Sequence, residues 1–219
     1  MRATNHLGAI VDTHQASQLV VNTLLAARDL HRKVLLVGNG GSAATVSHLH
    51  NDLVKALGIR ALCLHEPALL TATANDEGFE HCFEHTVERW ADRDDLLFAI
   101  SCSGESENVL RAVEIARMRA CQVITLTGFA HQNTLSRLGM INFHVPSDHF
   151  GTIEIAHAAL THYLTDAACA ALSQSHAISS RQDGTHEPIE TDIIGRTVEL
   201  RATRVGHRRG RLRRRRVSA

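Results

Sequence analysis

At 219 residues and 44% hydrophobic composition, the chain is long enough for one domain with a sizeable core, and no run approaches the ~18 apolar residues of a membrane span. Its formal net charge is zero, yet residues 201–219 hold nine arginines and no acid, which leaves 14 Lys+Arg against 23 Asp+Glu in residues 1–200. That acidic body argues against a nucleic-acid-binding core, and the arginine-rich end is the one segment suited to a polyanion.

Residues 4–30 carry few helix breakers and place Leu7, Ile10, Val11, Leu19, Val20, Leu24 and Leu25 at roughly helical intervals, which predicts one or two N-terminal helices. Short continuous apolar runs then predict five buried strands at 33–37, 59–64, 95–100, 122–127 and 141–145. Between and after them the spacing predicts helices over 42–57, 67–73, 77–90, 106–119, 134–138 and 152–172. This alternation predicts an α/β three-layer sandwich, a central five-stranded parallel sheet flanked by helices. The composition turns to Ser, Gln, Gly, Thr and charge after Leu172, so the domain is expected over 1–175, with 176–219 as a disordered tail. The five cysteines are odd in number and contain no C-x-x-C pair, which favours a reducing cytoplasm over a disulfide framework.

Two loops of small residues each follow an apolar run and open a helix. The first is Gly38-Asn39-Gly40-Gly41-Ser42 and the second is Ser101-Cys102-Ser103-Gly104-Glu105-Ser106. In such loops backbone N–H groups and hydroxyls converge on an anion, and the helix dipole adds positive potential. Ser106 is equally suited to capping the helix behind it. Both loops fall at carboxyl ends of predicted strands, where open parallel sheets bind ligands. Cys102 reads as a small side chain turned into the core, because no paired base accompanies it. His50, His81, His85, His144, His149 and His157 read as surface or packing residues, and Trp90 as a packing anchor.

The serine loop, together with the glycine loop, Thr73-Ala74-Asn75-Asp76, Thr125-Leu126-Thr127-Gly128 and Val145-Pro146-Ser147 in that order, resembles the sugar isomerase (SIS) family and, within it, the phosphoheptose isomerases, over residues 4–172. The resemblance implies a phosphosugar aldose–ketose isomerase acting on sedoheptulose 7-phosphate or a close relative, working as a homotetramer. By position, Ser101, Ser103, Gly104 and Ser106 would hold the phosphate. Asn39, Gly40, Gly41 and Ser42 would line the sugar, and Asn75 and Asp76 would form another turn near the ligand. The same loops would equally serve a non-catalytic regulator that binds a phosphosugar or a protein.

His48 and Asp52 stand four residues apart on one predicted helix, and Glu154 and His162 eight apart on another. Two imidazoles and two carboxylates suit a divalent ion, although 16 histidines make chance pairs easy to find. The resemblance strengthens the pairing, since it implies zinc held by two histidines, a glutamate and a glutamine. Here Asp52 replaces the glutamate and Glu154 the glutamine. An enediol route needs one group for the carbon-bound proton and another for the protons on oxygen. Asp52 is the candidate base and His162 the candidate acid.

Overall fold

A computed structural model describes residues 1–183. Seven strands form one sheet: β1 (Arg2–Asn5), β2 (Ile10–Val11), β3 (Lys33–Gly38), β4 (Arg60–Cys63), β5 (Leu96–Ser101), β6 (Gln122–Thr127) and β7 (Ile141–His144). The six α-helices are α1 (Thr13–Asp29), α2 (Gly40–Lys55), α3 (Pro67–Asp76), α4 (Glu84–Trp90), α5 (Glu107–Met118) and α6 (Phe150–Asp183).

The strand order is β2-β1-β7-β6-β5-β3-β4, and β4, β3, β5, β6 and β7 run parallel. These are the five expected strands. The sheet is nevertheless seven-stranded, because β1 and β2 add an antiparallel ribbon on the β7 edge, with Ala3 opposite Phe143. Residues before Asp12 are therefore a hairpin, not a helix. Asn5 turns the chain by accepting from the amides of Leu7 and Ala9, and Gly8 takes a positive φ of 75°. Leu7 and Ile10, which suggested a helical apolar face, lie exposed. The helix itself begins where Asp12 caps the amide of Gln15.

Successive residues of a strand face opposite sides, and the sheet sorts them accordingly. Val34, Leu36, Phe98 and Ile100 pack with Val20, Leu24, Leu49, Leu53, Leu160 and Leu164 of α1, α2 and α6. Leu35, Val37, Leu97 and Ala99 face Phe83, Val87, Val109 and Val113 of α4 and α5. Two predicted helices are shorter than expected: 77–90 divides into a 3-10 turn at Phe79–His81 followed by α4, and 134–138 is a 3-10 turn at Leu135–Arg137. The last helix instead passes the expected boundary at 175 and continues to Asp183. The arginine-rich end lies outside the described residues. Among the described residues no helix is long and apolar enough to cross a membrane.

Candidate active site

The neighbouring strands β3 and β5 end side by side, with Gly38 paired to Ile100. Each chain then turns into a helix, so the two small-residue loops face one another across a cavity of about 200 Å³. Its walls include Asn39, Gly40, Gly41 and Ser42 from the first loop and Ser101, Ser103 and Ser106 from the second. Ser101 Oγ lies 3.0 Å from Ser106 Oγ and 3.4 Å from Ser103 Oγ, so the three hydroxyls form one cluster. Ser106 occupies the N-cap position of α5 without a side-chain capping bond, which leaves its hydroxyl to that cluster.

Gly104 is required for two reasons. Its φ is +69°, and a Cβ there would stand 2.1 Å from Asn133 Oδ1. Asn133 is buried and ties the segment after β6 together by donating to the carbonyls of Gly128 and Ala130. The loops are joined by a reciprocal amide pair, in which Asn39 and Asn108 each donate to the other at 2.9 and 3.0 Å. Asn39 thus positions the cradle as much as it lines it. Sequence reasoning missed Asn108, Asn133 and Phe150, which also lines the cavity. Of these, Asn108 alone left a local signal, two residues after Ser106 at the end of the serine loop. Asn75 and Asp76 close on one another at 2.7 Å at the end of α3 and are not among the cavity-lining residues.

Cys102 is buried beside Ser42, and burial pushes its thiol up, so it stays protonated and is no nucleophile. His157 is fully buried against the Thr127 carbonyl at 3.1 Å, and burial pushes its pKa down to about 4. It is a neutral packing histidine at ordinary pH.

Further along α2, toward its C-terminus, a second group assembles against α6. Asp52 Oδ2 lies 3.4 Å from His48 Nε2 and 3.6 Å from His162 Nδ1, and the two imidazole centroids are 4.6 Å apart. Asp52 is the better buried member, at 20% side-chain exposure against 54% and 52% for the histidines. One ligand atom from each of the three lies within 4.8 Å of the others. Two imidazole nitrogens and one carboxylate oxygen fit zinc with a fourth position open.

Glu154, the fourth member of the expected metal set, is not among those three residues. Glu154 lies about two helical turns before His162 on α6. Its carboxylate instead fills the space beside Gly41, where a Cβ would lie 2.3 Å away, and it lines the serine-loop cavity.

A parallel sheet with a serine cradle at adjacent strand ends defines the class. Residues 4–128 match the SIS domain family, and the chain belongs to that family and, within it, to the phosphoheptose isomerase group. It is 37% identical over 157 residues to a phosphoheptose isomerase of Helicobacter hepaticus, covering 69% of this chain and 80% of that protein. A phosphoheptose isomerase of Nitratiruptor sp. is 47% identical over 104 residues, which is 44% of this chain and 55% of that one. The structure of phosphoheptose isomerase GmhA from Neisseria gonorrhoeae superposes with a TM-score of 0.65 at 31% identity, covering 70% of this chain and 85% of the other.

Proposed function

We propose that the chain is an aldose–ketose isomerase that interconverts sedoheptulose 7-phosphate and D-glycero-D-manno-heptose 7-phosphate through an enediol. The observation that carries this reading is the spacing of two chemistries along α2. Ser42 at the phosphate cradle and His48 are six residues apart, roughly 9 Å of helix rise, which is the span of an extended heptose phosphate from phosphorus to its carbonyl end. A phosphate seated among Ser101, Ser103 and Ser106 would bring C1 and C2 toward Asp52 and His162.

In the ketose-to-aldose direction Asp52 takes the pro-enediol proton from C1 while His162 donates a proton to O2, which makes the 1,2-enediol. His162 then recovers the proton of O1 and Asp52 returns its proton to C2, so the aldose forms with both groups restored. His48, Asp52 and His162 are also the residues that would hold zinc, which when bound supplies Lewis-acid polarisation of the sugar carbonyl. A carboxylate engaged with a metal is a weaker base, so metal holding and proton abstraction at Asp52 compete.

Asp52→Asn keeps the side chain's size and removes its basicity. It should lower kcat on sedoheptulose 7-phosphate by about 10²–10⁴-fold, the usual contribution of a general base, with phosphosugar affinity unchanged. Equal turnover by the variant would remove Asp52 from the mechanism. The reading includes a homotetramer working in the cytoplasm. Exposed Val54 on α2 and exposed Ile155 and Tyr163 on α6 support assembly, as apolar surface that association would cover.

A further inference from the structure

We propose that His81, Glu84 and His85 form a second divalent-cation site, of the zinc-binding class, at the junction between the 3-10 turn and α4. One ligand atom from each of the three lies within 4.8 Å of the others. Tetrahedral zinc with bonds of ~2.0–2.1 Å needs ligand atoms about 3.4 Å apart, so the set has to close by no more than about 1.4 Å. The residues are partly buried, with side-chain exposures of 26%, 20% and 44%. His81 and His85 stand four residues apart with their rings stacked, 6.2 Å between centroids and 20° between planes.

The nitrogens are prepared for a cation. His81 Nδ1 is sealed from solvent and, although 3.2 Å from Glu84 Oε1, makes no hydrogen bond of acceptable geometry. A buried ring nitrogen without a partner costs free energy that a bound cation would offset. His85 Nε2 lies 2.5 Å from Glu77 Oε2. An Nε2–H donated to that carboxylate leaves the lone pair on Nδ1, the carboxylate–histidine arrangement that orients metal-binding imidazoles. The carboxylate of Glu84 is itself held by Arg111, whose Nη1 is 3.6 Å from Oε2, while Arg111 Nε reaches Glu107 at 3.0 Å. Cys82 is excluded as a ligand: its Sγ donates to the Leu70 carbonyl and burial keeps the thiol protonated.

The site is separate from the group at Asp52 and does not depend on the isomerase reading. Through Arg111 it ties the turn before α4 to α5, the helix that starts at the serine cradle. A zinc ion there would fasten the α3–α4 connection in place.

The test uses the full chain carrying His48→Ala and His162→Ala, stripped with chelator and titrated with zinc at pH 7.5. Zinc binding is read by equilibrium dialysis, and imidazole ¹⁵N resonances are followed by NMR. We expect one zinc equivalent per chain, with metal-induced shifts at His81 and His85, and loss of that equivalent when His85→Ala is added. No bound zinc, or zinc bound without shifts at His81 and His85, overturns the proposal. The imidazole shifts give the answer even where the triple variant fails to fold.

Discussion

Ser101, Ser103 and Ser106 carry no formal charge, and no lysine, arginine or histidine lines their cavity among the described residues. A phosphate held there would depend on hydroxyl and amide donors and on the N-terminal ends of α2 and α5. Replacing Ser103 and Ser106 by alanine should therefore weaken phosphosugar binding by about 1–3 kcal/mol, or about 5- to 150-fold, the cost of losing hydrogen bonds to a charged group. Calorimetry on the double variant checks this, and an unchanged Kd would take the phosphate away from these serines. Glu154 acts in the opposite direction, because its carboxylate stands in the same cavity as the proposed dianion. Glu154→Gln removes a like charge at close range and should tighten phosphosugar binding by roughly tenfold, more at low salt than at high. Equal affinity for the two forms across salt concentrations would show that the carboxylate does not sense the phosphate.

At the scale of elements, the strand–loop–helix units hold the site, and a buried charge cluster holds the β3–β5 pair at the opposite end of the strands. Lys33 Nζ reaches Asp95 at 2.7 Å and also Asp92, and the Asp95 carboxylate accepts from the amides of Lys33 and Asp92. Burial alone would lower the Lys33 pKa, but its hydrogen bonds and charge interactions with Asp92 and Asp95 outweigh that and raise it. Asp95 is 1% exposed, so Asp95→Ala leaves the Lys33 ammonium with Asp92 alone and strands the amides of Lys33 and Asp92. The expected cost is about 1–3 kcal/mol for each amide left unsatisfied, read as a lower urea midpoint. A midpoint within error of the wild type would contradict this account of the cluster.

The five parallel strands were legible because each is a short unbroken apolar run, as in Leu96-Leu97-Phe98-Ala99-Ile100. The N-terminal ribbon was not, since Leu7 and Ile10 imitate helical spacing while the deciding turn rests on one asparagine side chain and one glycine. The serine cradle could be read locally. Asn133 could not, because it reaches Gly104 across the fold from the segment after β6. For Glu154, spacing gives its register with His162 along α6 but not which end of α2 its side chain meets. His81 and His85 read as surface or packing residues, because only the folded turn before α4 brings Glu84 and Glu77 beside them.

At the scale of the whole molecule, two chemistries lie a sugar's length apart on one scaffold. α2 carries the glycine loop at its start and His48 and Asp52 further on, and α6 brings Glu154 to the cavity and His162 to Asp52. The sheet fixes where both helices begin and the apolar contacts of Leu49 and Leu53 with the α6 core residues fix how they lie together. Rigid placement of this kind matters, since ~1 Å of misplacement can cost ~100-fold in rate. The most direct measurement is incubation of the purified protein with sedoheptulose 7-phosphate in D₂O, followed by ¹H and ³¹P NMR. The account predicts that an aldose heptose 7-phosphate accumulates with solvent deuterium at C2, where the enediol is reprotonated. Sugar phosphate that binds, shifting its ³¹P resonance, but yields no aldose and no deuterium exchange at C1 would contradict it and leave a phosphosugar-binding protein in its place.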